Sequence, residues 1–206
     1  EADVRSSSIF ETFPVLADGD FVRFCIHRRE NCSSKPRFTA IIEALIKLVE
    51  EDKNVLLISL FQTESALKTF GYKEKIEALA KSHPNFVYSP VWAEYKDVIA
   101  AMTKASVCAT DSGSMQEEMN VLGVPCVTLR FGSDRSESAM AGGNLIAPPI
   151  DAELIYTMIT WAWDNAEMKK APKLYGKNVS ALCIDEVEKV LQNGTMFRAE
   201  EERLKL

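Results

Sequence analysis

Basic stretches, histidine and paired cysteines are all scarce in this chain, and each shortage removes a class of function. No segment of the 206 residues gathers enough Lys and Arg to track a phosphate backbone, and the net charge is −6, so nucleic acid is not an expected partner. Cys25, Cys32, Cys108, Cys126 and Cys183 form an odd set without CxxC spacing. They read as reduced thiols of a cytoplasmic protein. His27 and His83 alone supply imidazole, neither in zinc-like spacing with the cysteines, so no metal site is expected. No apolar run approaches the roughly 20 residues that span a bilayer, and the polar start EADVRSSS is not a signal peptide. Neither a membrane partner nor a secreted form is expected. The chain also lacks GxGxxG and GxxxxGKS/T, which removes the standard dinucleotide and P-loop readings. Without GxSxG, and with no histidine close to Ser112 in sequence, a serine hydrolase has little support.

What the chain does contain is a regular alternation. At 47% hydrophobic and 26% charged it suits one compact domain with room for a sizeable core. Strands are expected at Phe21–Ile26, Val55–Leu60, Phe86–Tyr88, Ala105–Ala109, Pro125–Leu129 and Asn144–Ile146. Between and after them, helices are expected at Phe38–Val49, Tyr72–Lys81, Tyr95–Lys104, Met115–Leu122, Asp151–Asn165 and Val179–Gln192. In the first helix Phe38, Ile41, Ile42, Leu45, Ile46 and Val49 recur with helical spacing. The strands are continuous apolar runs, the mark of a parallel sheet covered on both faces. The expected class is therefore α/β, a Rossmann-like parallel sheet flanked by helices, which binds ligands at the carboxyl ends of its strands. Residues Glu1–Leu16 are expected to form an amphipathic helix, with Val4, Ile9 and Phe10 as its apolar positions, packing on a neighbouring domain. The charged tail Thr195–Leu206 is expected as a solvated or frayed helix. The chain starts at Glu1 without a methionine, so a piece of something longer is expected.

Three loops after strands carry residues suited to an anion. The run DSGSMQEE, Asp111–Glu118, follows an apolar strand and opens a helix, with Ser112, Gly113 and Ser114 as the turn. Helix-start amides point outward without intrahelical partners, and the dipole adds partial positive charge there. Ser114 and Glu117 have capping-box spacing, which gives both a structural alternative. Glu118, one turn past Ser114, can accept hydrogen bonds from both hydroxyls of a ribose. Asp111 reads as a strand-end residue held by backbone amides, with catalysis as the alternative. A second loop, His27-Arg28-Arg29-Glu30-Asn31, crowds one histidine and two arginines at a strand end, where the fork of a guanidinium suits phosphate; a surface loop in which Glu30 neutralises an arginine is the alternative. The third loop runs from Arg130 to Glu137. In it Arg135 either neutralises a diphosphate or pairs with Asp134 or Glu137. Together the loops point to a nucleotide diphosphate.

These motifs carry a resemblance. HRREN at His27–Asn31, TDSGSMQEE at Thr110–Glu118, LGVP at Leu122–Pro125 and LR…DRSE at Leu129–Glu137 resemble, in order and spacing, the non-hydrolysing UDP-N-acetylglucosamine 2-epimerases. The likeness covers Asp20–Leu191 and corresponds to the C-terminal half of that family, whose two Rossmann-like domains make a GT-B fold around a UDP-sugar. It implies domains at 1–19 (a helix or linker from a missing N-terminal domain), 20–192 (UDP-binding) and 193–206 (tail). By motif position His27 is expected to contact the nucleotide sugar, Ser112, Gly113 and Ser114 to hold the diphosphate, Glu118 to bind ribose and Arg135 to approach the phosphates. His27 is the one catalytic candidate, the acid and base carboxylates being expected in the N-terminal domain. No cofactor is implied, and the parent is expected to be a homodimer. In many bacterial members a PVHxNP histidine, with residues matching Arg28 and Glu30, forms a regulatory UDP-GlcNAc site; here Phe61 stands in that histidine's place, so regulation is expected to be lost or altered. Further departures are Ser114 for the second glycine of DSGG, Ser136 for the proline of ERPE, and Lys177 for an acidic residue in PYGDG.

The expected function is thus the UDP-binding half of an enzyme that interconverts UDP-GlcNAc and UDP-ManNAc by eliminating and re-adding UDP, in the service of ManNAc-containing polysaccharide. Alternatives are a GT-B glycosyltransferase, a hydrolysing epimerase or a non-catalytic nucleotide-binding module.

Overall fold

Six parallel strands occupy the apolar runs: β1 Phe21–Cys25, β2 Asn54–Ser59, β3 Phe86–Pro90, β4 Val107–Thr110, β5 Cys126–Thr128 and β6 Asn144–Ile146. The computed structural model describes residues 4–194. The sheet order is β3-β2-β1-β4-β5-β6, with Val22 of β1 opposite both Val55 of β2 and Val107 of β4. From β1 the chain builds outward on one side as far as β3, then returns to lay β4, β5 and β6 on the other. The order therefore reverses between β1 and β4, the kind of switch point beyond whose strand ends open α/β sheets bind ligands.

The helices are α1 Ile9–Thr12, α2 Arg29–Cys32, α3 Lys35–Glu50, α4 Phe61–Thr69, α5 Lys73–Ser82, α6 Tyr95–Lys104, α7 Gly113–Leu122, α8 Ser136–Met140, α9 Ala152–Asp164 and α10 Val179–Gln192. Successive strand residues face opposite sides of a sheet, and the core divides accordingly. Val22 and Phe24 pack with Val55, Leu57 and the inner faces of α3, α5 and α9. Phe21 and Cys25 join Leu56, Ile58, Cys108 and Cys126 under α6 and α7. The expected stripe from Phe38 to Val49 is wholly buried in the first layer. Helices thus cover both faces, as the continuous apolar strands require.

The N-terminal segment departs from the single helix expected for it. Over the described residues it forms a 3-10 turn at Val4–Ser6, the single helical turn α1, and another 3-10 turn at Pro14–Leu16. Pro14 has no N–H to continue a helical ladder. Ile9 and Leu16 are buried, Leu16 in the second layer, with Phe10 and Phe13 packed against it. Phe13 also stacks on Trp92 at 5.8 Å, and the Ser7 hydroxyl donates to Asp97 at 2.6 Å. The segment covers this domain's own core.

The chain divides into two units, one ending at Leu174 and one starting at Tyr175, which is earlier than the boundary at 192 implied by the resemblance. Buried Asn120 on α7 fastens the end of the first unit. Its amide donates to the Pro172 carbonyl at 2.9 Å and accepts from Leu174 N–H at 2.8 Å. The second unit contains α10, with an exposed Lys189–Glu186 pair one turn apart. The tail from Thr195 onward, expected as a frayed helix, lies outside the described residues.

A polar cluster closes the sheet's β3 edge. Glu64 of α4 accepts from the Ser59 hydroxyl at 2.8 Å, from Lys73 Nζ at 2.8 Å and from the Tyr88 hydroxyl, tying α4 and α5 to the ends of β2 and β3. Burial alone would raise the Glu64 pKa, but hydrogen bonds from Lys73, Tyr88 and Ser59 and the Lys73 charge outweigh it and hold it at about 2. A folded pKa below the unfolded value of about 4.3 gives stability that is present above that value and lost as pH falls toward 2. Glu64→Gln is expected to lower stability at pH 7 by about 1 kcal/mol, the scale of a partly solvated pair, and to flatten the fall in urea midpoint between pH 5 and pH 2.

Candidate functional site

The site begins with Asp111 at the end of β4. Its side chain is fully buried and accepts from the His27 and Arg28 backbone N–H groups at 2.9 Å each and from Asn31 Nδ2 at 3.1 Å. Asn31 donates as well to the Leu129 carbonyl at 2.9 Å. One carboxylate and one amide therefore clamp the loops after β1, β4 and β5 together. The structural role expected for Asp111 is what the structure shows, and Asn31 is a partner that no sequence pattern marks.

Helix α7 starts where the switch point requires it. Ser112 is its N-cap, in extended conformation, and its side chain accepts from Met115 N–H. This replaces the expected capping box: Ser112 does the capping, Ser114 Oγ lies 3.2 Å from Ser112 Oγ, and Glu117 pairs instead with Arg135. Gly113 is the first helical residue, so the turn between β4 and α7 is shorter than the sequence suggests. The helix stops at Gly123, whose φ of 75° is left-handed and suits glycine. The Gly113 and Ser114 amides lie in the first turn, whose N–H groups have no partner inside the helix.

Charged side chains from the other two loops converge above that turn. A Cβ added at Gly113 would meet Arg28 Nη2 at 3.5 Å and Asp134 Oδ2 at 4.0 Å. Arg28 donates to Asp134 at 3.3 Å, and Arg130 donates to Asp134 at 3.0 Å and to Glu30 at 2.6 Å. Glu30 does neutralise an arginine, but one supplied by the loop after β5. Arg135 pairs through Nε with Glu117 and donates from Nη1 to the Asp134 carbonyl at 2.9 Å. Carboxylates thus hold the guanidinium groups at the mouth of α7, in an arrangement a stronger anion can take over.

Gln116, nearly fully buried, keeps this loop in place. Its amide donates to the Ser112 carbonyl at 3.1 Å, while its carbonyl accepts from the Ser133 hydroxyl and from Asn144 Nδ2 at 3.0 Å. It was visible only as one letter of the motif, because a glutamine's burial has no sequence signature.

Glu118 and His27 have separate sets of neighbours. Glu118 is partly buried and accepts from the Tyr95 hydroxyl at 3.3 Å. Its pKa is raised by burial, with the Tyr95 hydrogen bond and the Arg23 charge pulling the other way and Glu117 adding to the rise. His27 Nδ1 stands 3.4 Å from Asp111. The ring lines a hollow of about 290 Å³ with Arg29, Cys32, Ser33, Phe61, Gln62 and Ser65. That lining contains none of Ser112, Gly113, Ser114, Glu118 or Arg135. The structure brings Arg28, Gly113 and Asp134 together and joins Arg135 to α7 through Glu117, while His27 faces Phe61. Among the described residues no group of three His, Cys, Asp or Glu side chains is arranged to hold a metal ion, and no helix is long and apolar enough to cross a membrane.

Residues 1–187 match the UDP-N-acetylglucosamine 2-epimerase family. A relative from Methanocaldococcus jannaschii, named UDP-N-acetylglucosamine 2-epimerase, is 30% identical over 142 residues, which are 68% of this chain and 37% of that protein. A UDP-2,3-diacetamido-2,3-dideoxy-D-glucuronate 2-epimerase from Pseudomonas aeruginosa is 30% identical over 137 residues, 66% of this chain and 36% of its own length. Among solved structures, the M. jannaschii enzyme in complex with UDP-GlcNAc and UDP aligns with a TM-score of 0.74 at 24% identity, over 90% of this chain and 49% of that one. The Neisseria meningitidis enzyme bound to UDP-GlcNAc aligns with a TM-score of 0.75 at 22% identity, over 91% and 50%. The chain spans half or less of the length of these relatives. With its order of motifs, its six-stranded parallel sheet and a family match over most of its length, the chain belongs to the UDP-N-acetylglucosamine 2-epimerase family, as the C-terminal half.

Proposed function

We propose that this chain is the UDP-holding half of an epimerase that interconverts UDP-GlcNAc and UDP-ManNAc. The observation that carries the reading is the start of α7 at the β1–β4 switch point, ringed by Arg28, Arg130 and Arg135 from the two neighbouring loops. In this reading Ser112 and the amides of Gly113 and Ser114 hold the diphosphate, Arg135 exchanges Glu117 for a phosphate oxygen, and Glu118 accepts from the two ribose hydroxyls. Elimination removes the proton from sugar C2 and breaks the C1–O bond, whose electron pair leaves with UDP. Re-addition returns UDP to C1 and a proton to the opposite face of C2. The contribution of this half is to stabilise the charge that gathers on the departing diphosphate. The carboxylates that move the C2 proton belong to an N-terminal domain, and the chain alone binds UDP weakly and turns nothing over.

Turnover by a full-length protein containing this chain tests the reading. UDP-GlcNAc is expected to yield UDP-ManNAc without accumulation of free UDP. Release of free ManNAc would point to hydrolysis, and UDP binding without turnover to a nucleotide-binding module. The P. aeruginosa relative favours one second reading, a more oxidised diacetamido sugar on the same UDP, because the residues of this half address the nucleotide and leave the sugar to the other domain.

The hollow beside His27 supports a statement on regulation. Phe61, 84% exposed at its rim, offers no hydrogen bond where the regulatory family members carry a histidine. The rate of the full-length protein is therefore expected to depend hyperbolically on UDP-GlcNAc; a sigmoidal curve would show that the regulatory site survives.

A further inference from the structure

The sequence FVRFCI puts one arginine in the middle of an apolar strand. Arg23 lies on β1 and is 4% exposed, on the side of the sheet covered by α6 and α7. Its Nη1 approaches Met115 Sδ at 3.4 Å, the Cys108 thiol is in hydrogen-bonding reach, and Nε has no hydrogen-bond partner. Among the described residues no carboxylate lies within salt-bridge distance of it. A guanidinium withdrawn from water without an anion is destabilising, and an apolar side chain of similar length would pack there at least as well. Its presence calls for a role that stability does not supply.

That role is found one helical turn along α7. Met115 and Glu118 are three residues apart and so lie on neighbouring positions of one helix face, which places the guanidinium beneath the helix that carries Glu118. We infer that Arg23 is a positioning residue: it is the fixed buried counter-charge that keeps Glu118 ionised, and so able to accept both hydroxyls of a ribose. The inference rests on the reading of Glu118 as the ribose carboxylate.

The surrounding groups are consistent with this. Glu118 faces Tyr95 from α6, Arg23 from β1 and Glu117 on its own helix. Arg23 faces Cys25 on its own strand, Cys108 on β4, and Met115 and Glu118 on α7. Burial pushes the Cys25 thiol up to about 11 and the Cys108 thiol to about 12. Both stay neutral near pH 7 and cannot serve as the anion. Glu118, by contrast, is driven toward its neutral form by burial, and the Tyr95 hydrogen bond and then the Arg23 charge oppose this. A protonated Glu118 keeps one acceptor oxygen but turns the other into a donor, so it no longer accepts from both hydroxyls as a carboxylate does.

The test is a chemical-shift titration of the Glu118 side-chain carboxyl in the unaltered chain and in Arg23→Met, Arg23→Gln and Arg23→Lys, with UDP binding measured at pH 6 and pH 8. Both neutral variants are expected to move the Glu118 midpoint upward, with lysine returning it toward the original value. The glutamine variant keeps the test open should methionine disturb folding. Relative to the unaltered chain at the same pH, the neutral variants are expected to lose UDP affinity on the order of tenfold at pH 6, the scale of one hydrogen bond to a charged group, and to lose little at pH 8. An identical Glu118 midpoint in all four proteins overturns the inference, as does an affinity loss of the same size at both pH values, which is what a merely structural arginine would give. Failure of the underlying reading looks different: Glu118→Gln then binds UDP as tightly as the unaltered chain, and the ribose role falls even if the midpoint shifts.

Discussion

Asp111→Ala is expected to destabilise the chain by about 3 kcal/mol, because it strands several buried donors at once and each costs on the order of 1 to 3 kcal/mol. For a domain of this size that corresponds to a melting temperature lower by about 6 to 12 °C. The reason lies in what the carboxylate holds. The His27 and Arg28 N–H groups and the Asn31 amide all converge on it, and through Asn31 it reaches Leu129 at the end of β5. Without it the loop after β1 has no anchor over the switch point, and UDP binding should fall along with stability. Asp111→Asn is expected to fare nearly as badly, since its amide group would direct hydrogens at N–H donors. Thermal unfolding followed by circular dichroism reads the result; a loss below about 1 kcal/mol, the worth of one ordinary hydrogen bond, would mean that the three loops are held together by something else.

The second large effect concerns the ligand. Glu118→Ala and Arg135→Ala are each expected to weaken UDP binding by about 1 to 3 kcal/mol, roughly 5- to 150-fold, if each makes a charge-assisted bond. The two are distinguishable. Loss at Glu118 should erase the preference for UDP over 2′-deoxy-UDP, whereas loss at Arg135 should weaken both nucleotides equally. Neither change should unfold the chain, because the Glu118–Tyr95 hydrogen bond is long, at 3.3 Å, and the Arg135–Glu117 pair is at the partly exposed mouth of the site. Unchanged affinity in both variants, measured by calorimetry, would remove the assignment.

How much of this was legible in the sequence depended on the kind of signal. Phe38, Ile41, Leu45 and Val49 sit on one stripe of a long helix, and such periodicity survives any tertiary context; the helix is there and the stripe is buried. Helix α4 has only Thr63, Ala66 and Leu67 buried, too little apolar pattern to show. The N-terminal segment misled in the opposite way. Ile9 and Phe10 suggested an amphipathic helix, but Pro14 interrupts it, and Leu16, Phe10 and Phe13 pack in the core layer under α6.

At the site, residue type was legible and pairing was not. The motif announced Ser112, Gly113 and Ser114 at a helix start, and they are there. That Glu30 would meet Arg130, 100 residues away, or that Glu117 would meet Arg135 instead of capping its own helix, depends on how three loops fold over one another. Asn31, Gln116 and Arg23 are buried without any sequence pattern to mark them. Each is a polar residue whose importance comes from being buried, and burial of a single polar side chain leaves no periodic mark.

In the proposed reading UDP lies across the start of α7 at the β1–β4 switch point. The most direct test is a UDP titration of the ¹⁵N-labelled chain followed by amide chemical shifts, which registers even millimolar affinity. The largest shifts are expected on Gly113 and Ser114, with His27 and Arg28 moving beside them and the amides of α9 unaffected. No shift at millimolar UDP, or shifts centred away from α7, would contradict it.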